Sequence, residues 1–197
     1  MTAECAPLDN VIRPGEPNGP SGVALTDRRF VGQVNLRVRG PAVTAVGAAL
    51  GYELPIEPNT TVGNGVSRAC WLGPDEWLLI CDDGLQGELL ERLDASLAGH
   101  AYAATDITDS RAVLRLAGAC AKPVLAKGCP LDLHSRSFGQ GRAAQSLVAR
   151  AQAVILPIEG GGYDLFVARS FAGYLWAWLL DAGAEYGIRI EDPNKPA

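Results

Sequence analysis

Cys129, Asp132 and His134 lie within six residues of one another. On paper they supply a thiolate nucleophile, a base and an orienting carboxylate. Triads of that kind are usually assembled from segments far apart in the chain. This thiol also lies at neither a helix start nor a nucleophile elbow. A hydrogen-bonded loop carrying a small buried cysteine is the expectation. Gly160-Gly161-Gly162 could be imagined as a phosphate cradle, yet it lacks the Lys-Ser/Thr of a P-loop and joins strand to strand. No Gly-x-Gly-x-x-Gly follows a strand, which argues against a dinucleotide fold. Asp106 and Asp109 flank a turn, where aspartates commonly accept hydrogen bonds from local amides. The five cysteines include no Cys-x-x-Cys pair, and His100 and His134 are the only histidines. Neither a disulfide framework nor a zinc site is expected.

The elements that must position these residues fall into a repeated order. Gln33 to Arg39 alternates as a strand, with Val34, Leu36 and Val38 on one side. Gly40-Pro41 opens a helix through Leu50, with Gly51 as its C-terminal cap. Val23 to Asp27 is short and β-like. Seventy-eight residues beyond Gly40, Gly118 follows a second strand, Ser110 to Ala117. There Ala112, Leu114 and Leu116 face one way and Arg111, Val113 and Arg115 the other, predicting a sheet with one buried face. A helix from Ala119 to Lys127 follows, closed by Gly128 in a left-handed conformation. Each half continues with a hairpin: Ala69 to Gly73 with Glu76 to Cys81, and Ala151 to Ile158 with Tyr163 to Ala168. Each hairpin leads to a helix, Gly87 to Ala98 in the first half and Ser170 to Ala184, N-capped by Ser170, in the second. This is an α+β internal duplication of two strand-helix-strands-helix subdomains. The halves span about residues 23–100 and 101–185 of one duplicated domain. An extended, proline-rich N-terminal arm (residues 1–22) precedes it and a charged tail (186–197) follows.

The last helix places Phe171, Tyr174, Leu175, Trp178 and Leu179 on one stripe, with Trp176 and Leu180 roughly opposite. A helix apolar on all sides is covered on both, either by the rest of this chain or by another. The formal net charge of -5 argues against broad nucleic-acid binding. Fourteen Arg against three Lys suits protein interfaces only weakly, and a GC-rich codon bias is the main explanation of the ratio. The apolar run Tyr174 to Leu180 is too short to cross a bilayer. The N-terminus lacks the basic and apolar regions of a signal peptide, so a cytoplasmic location is expected.

Four separated segments carry a resemblance. They are Cys70-Trp71-Leu72-Gly73-Pro74-Asp75-Glu76-Trp77-Leu78-Leu79, then Asp109 to Gly118, then Leu125-Ala126-Lys127-Gly128-Cys129-Pro130-Leu131-Asp132-Leu133-His134, then Tyr163-Asp164-Leu165 with Arg169-Ser170-Phe171-Ala172 and Leu175-Trp176. In order and spacing they resemble the gamma-subunit family of heterotetrameric sarcosine oxidases over roughly residues 25–185. The resemblance implies a shortened relative of the aminomethyltransferase (T-protein) folate-binding fold. It implies assembly with alpha, beta and delta subunits into an enzyme that demethylates sarcosine to glycine. That enzyme yields hydrogen peroxide and, with tetrahydrofolate, methylenetetrahydrofolate. NAD, FAD, covalent FMN and folate are implied for alpha and beta, and zinc for delta. No catalytic, cofactor-binding or metal-binding residue is implied for this chain, nor a nucleic-acid or membrane partner.

Lys127-Gly128-Cys129 matches a motif of the iron-sulfur-cluster repair relatives, but Pro130-Leu131-Asp132-Leu133 departs from their Gly-Gln continuation. The alternative of a stand-alone folate-binding protein, for one-carbon transfer or cluster repair, is weakened by that departure. Trp176, Leu180, Asp132, His134 and Arg136 are the expected contacts with other subunits.

Overall fold

Gly40 and Gly118 both take positive φ, 59° and 103°. Glycine reaches that region without the Cβ clash other residues meet, and each of these residues turns a strand toward a helix. The chain built around them is a computed structural model that describes residue 8, residues 21–29 and residues 31–191. Except for residues 8, 21 and 22, the expected arm lies outside the described residues, as does the tail beyond residue 191.

The elements run β1 (Val23–Asp27), β2 (Gly32–Val38), α1 (Ala42–Leu50), β3 (Thr61–Gly63), β4 (Ser67–Gly73), β5 (Glu76–Cys81), α2 (Gln86–Ser96) and β6 (Tyr102–Asp106). The second series is β7 (Arg111–Ala117), α3 (Ala121–Ala126), β8 (Ala144–Val148), β9 (Ala151–Pro157), β10 (Gly162–Ala168), α4 (Ala172–Gly183) and β11 (Ile188–Glu191). From β2 and from β7 onward the order is the same: strand, helix, three strands, helix, strand. The α+β repeat expected from the sequence is present, with one further strand per copy.

Contacts divide the chain into two compact units, and the division does not follow the two halves in sequence. One unit holds residues 31–108 and 141–144, the other residues 21–29, 109–140 and 145–191. The sheet of the first is ordered β3-β4-β5-β2-β6, and that of the second β11-β1-β7-β10-β9-β8. Thus β6, beyond the expected boundary near residue 100, pairs antiparallel with β2. Conversely β1, from the N-terminal side, pairs antiparallel with β7 and parallel with β11. By the repeat, β11 corresponds to β6, but β1 fills the place beside β7.

In the first unit, α1 and α2 cover one face of the sheet. Val34, Leu36 and Val38 of β2 pack with Trp77 and Leu79 of β5, Val46 and Leu50 of α1, and Leu89 and Leu93 of α2. Each fully buried side chain of this kind stabilises the fold by about 2 kcal/mol. The Trp77 indole N–H donates to the Pro55 carbonyl at 2.8 Å, so its burial leaves no orphan donor. The core of the second unit joins Leu25, Leu114, Leu116, Ile155 and Leu165 of the sheet to Val124, Leu125, Leu175 and Leu179 of the helices, all fully buried.

Four local expectations are corrected. β7 is covered on both faces, because Val113 is as buried as its neighbours. α3 ends at Lys127 in a right-handed conformation, and Gly128 is absent from the positive-φ residues. A Cβ on Gly128 would lie 2.6 Å from the Trp178 ring and 2.9 Å from the Ala149 amide. Crowding, not handedness, is what demands glycine there. Ser170 does not cap α4: a 3-10 turn, Arg169–Phe171, precedes the helix, and no side chain caps it. Finally, the charged tail expected from residue 186 onward begins inside the fold, since Ile188–Glu191 is a strand of the sheet.

Candidate functional site

The loop from Cys129 to Phe138 holds most of the chemistry-bearing side chains, and the structure shows what each does. Cys129, Leu133 and Phe138 point inward and are buried, which turns Asp132, His134 and Arg136 to the surface. The Asp132 carboxylate accepts hydrogen bonds from the His134 amide at 3.0 Å and the Ser137 hydroxyl at 2.7 Å. These bonds, the hydroxyl first, hold its pKa below the ordinary carboxylate value. His134 Nδ1 accepts from the Arg136 amide at 3.2 Å, and the His134 carbonyl accepts from the Ser137 and Phe138 amides at 2.8 Å. Asp132 and His134 thus organise the loop's own backbone. They are brought together as a turn, with Cys129 tucked beneath it, and not as a nucleophile relay.

Lys127 is occupied as well. Its ammonium donates to the Ala182 carbonyl at 2.5 Å, pairs with the Glu185 carboxylate and sits 5.0 Å from the centre of the Tyr186 ring. A cation over the last carbonyls of a helix satisfies groups that lack an intrahelical partner. Lys127 in the Lys-Gly-Cys segment is therefore a clasp on the end of α4, and Gly128 the gap that admits Trp178.

Trp176, expected as a contact with another subunit, is instead 1% exposed within this chain. The buried stripe of α4 is Ala172, Leu175, Trp176, Leu179 and Ala182, with Leu180 half-buried. The exposed aromatics are Phe171 and Tyr174, 45% and 40% exposed, whose rings meet edge to face at 6.4 Å. Sequence pattern missed this because a helix apolar all round has no polar face to mark its outward side.

Pattern also missed an ion cluster in the second unit. Asp164, 6% exposed, lies opposite Arg115 across the β7–β10 pair. Arg115 grips it with two bonds of 2.8 Å, and Arg28 adds a third of 3.1 Å. The carboxylate pushes the Arg115 pKa further up, so the cluster is a fixed charge and no proton donor. Asp106 accepts from the Thr108 amide at 2.9 Å, as its turn position predicted, and Asp109 pairs loosely with Arg169.

Concavities are found among the described residues of both units. The second unit has an open cleft of about 680 Å³ between Lys122, Leu133, Phe138, Gln140 and the Glu159–Tyr163 turn. The first has an apolar pocket of about 290 Å³ lined by Val43, Ile56, Pro58, Trp71, Pro74 and Trp77. Among the described residues, no group of three His, Cys, Asp or Glu is placed to hold a metal ion. No helix there is long and apolar enough to cross a membrane.

Comparison with known proteins gives this geometry a context. Residues 38–185 match the family described as sarcosine oxidase, gamma subunit. The chain is 36% identical to a sarcosine oxidase subunit gamma from Arthrobacter sp., over 83% of this chain and 81% of that one. It superimposes on a chain of the heterotetrameric sarcosine oxidase from Corynebacterium sp. U-96 with a TM-score of 0.81. That match has 32% identity and covers 87% of this chain and 89% of the other. The aminomethyltransferase T of Bartonella henselae shares the fold at a TM-score of 0.67 and 15% identity, with this chain spanning 48% of its length.

Proposed function

Because the chain belongs to the sarcosine oxidase gamma subunit family, we propose that it works as the noncatalytic gamma subunit of a heterotetrameric sarcosine oxidase. Its partners are the alpha, beta and delta subunits, and its place of action is the cytoplasm. The assembled enzyme oxidatively demethylates sarcosine to glycine with hydrogen peroxide, and with tetrahydrofolate forms methylenetetrahydrofolate. NAD, FAD, FMN, folate and zinc reside in the partner subunits. The observation that carries this reading is the match over nearly the full length of both chains to a member of such a tetramer. The loop geometry supports it, because Asp132, His134 and Lys127 are spent on holding backbone and helix ends. The subunit-facing residues in this reading are Asp132, His134 and Arg136 of the loop, Phe171 of the turn before α4, and Tyr174 and Leu180 of α4.

Co-expression with the three other subunits tests it. A tagged copy is expected to recover all four chains in equal amounts, with peroxide formed from sarcosine by the assembly and not by the isolated chain. Tetrahydrofolate is expected to leave the melting temperature of the isolated chain unchanged. A monomer that is stabilised by folate through linkage, or that turns over sarcosine alone, would make it a stand-alone folate protein instead.

A further inference from the structure

We propose that residues 184–191 form a detachable strap, docked on the sheet of the second unit and latched by Lys127. The strap begins where α4 ends. Gly187 turns it with φ 67°, and β11 then runs parallel to β1 with Val23 opposite Ile188 and Thr26 opposite Glu191. β11 is an edge strand of four residues, none of them fully buried. Parallel pairing is slightly weaker per residue than antiparallel pairing, and short exposed edges belong to the parts of a fold that open first. By contrast, β7 is paired antiparallel on both sides, by β1 and β10, and four of its seven residues are buried.

What holds so marginal a strand is a small set of fastenings at its root and tip. At the root, Lys127 ties the end of α4 to Glu185 and Tyr186, and this pairing holds the Glu185 carboxyl below its ordinary value. The Ser21 hydroxyl donates to the Gly187 carbonyl at 2.8 Å, and the Gly22 amide to the Tyr186 carbonyl at 2.9 Å. Ile188 packs on Gly183, where a Cβ would come within 2.8 Å of it. At the tip, the Thr26 hydroxyl donates to Glu191 at 3.2 Å. Lys127, at the C-terminal end of α3, joins that helix to the strap, so loss of its charge loosens the root without touching the central strands. Opening frees the outer edge of β1, which could then accept a strand from elsewhere.

Hydrogen exchange on the full-length chain tests this. In Lys127→Met, which keeps the apolar stem and removes the ammonium, amides of 187–191 are expected to exchange about tenfold faster, while β7 and β10 stay within about twofold. Lys127→Arg is expected to restore much of the protection, since a guanidinium can still reach a carbonyl and a carboxylate. Glu185→Gln, which leaves the Ala182 bond intact, is expected to give a smaller increase at the same amides. Unchanged exchange at 187–191 in Lys127→Met overturns the proposal. A uniform rise across the unit, or failure of Lys127→Met to fold, overturns it equally, because the latch is then part of the global fold.

Discussion

Asp164 shows what one residue contributes when it is both buried and charged. Two guanidiniums neutralise it, and each is about a third exposed, at 36% and 34%. Removing the carboxylate charge leaves two partly dehydrated cations facing each other. Asp164→Asn is expected to lower unfolding free energy in urea by about 2 kcal/mol, at the modest end for broken buried pairs because solvent screens both partners. Cys70 makes the opposite case, a buried group kept neutral. Burial pushes its thiol up from 9.0 to about 11. Between those values the folded chain keeps a proton that the unfolded chain releases, so stability falls as pH rises through that window. Cys70→Ala is expected to flatten the alkaline side of a stability–pH curve, measured by urea unfolding from pH 8 to 11, relative to the unsubstituted chain. An unchanged slope would place the alkaline loss in other groups.

At the scale of elements, α3 and the glycine just beyond it depend on fit more than on propensity. Gly128→Ala would drive a methyl into the Trp178 ring and the Ala149 amide. Overpacking at such a point costs about 1–3 kcal/mol, and a fall of several degrees in melting temperature is expected by calorimetry. A fall of under a degree would mean that Trp178 moves aside freely. The strands and helices themselves were legible in sequence from their periods: β2, β5, α1, α2 and the two hairpins lie within a few residues of where alternation and glycine placed them. The inward face of α4 was not legible, because Trp176 and Tyr174 look alike to a hydropathy pattern. Packing against the sheet selects the first for burial and leaves the second out.

At the scale of the whole chain, the two copies of the repeat are not the two compact units. β1 is wedged between β7 and β11, while β6 closes the other sheet. A fragment starting at residue 101 would therefore carry a sheet missing its second strand and a β6 without β2. It is expected to show no cooperative thermal transition by circular dichroism, whereas a fragment of 21–197 is expected to melt cooperatively. A sharp transition in the shorter fragment would show that β11 can move in beside β7, as its counterpart β6 lies beside β2.

The sequence by itself determined the α+β repeat, the turn glycines at Gly40 and Gly118, the resemblance that gave the family, and the turn made by Asp106. All of these rest on local chemistry or on residue spacing, which survive being read one window at a time. Only the tertiary structure decided that Gly128 answers to Trp178, that Lys127 clasps α4, that Asp164 sits between Arg28 and Arg115, and that β1 separates β7 from β11. Each of those pairs residues between about 50 and 165 positions apart in the chain. Their identity depends on which surfaces meet when the core closes, and hydrophobic burial, being non-directional, sets that only for the chain as a whole.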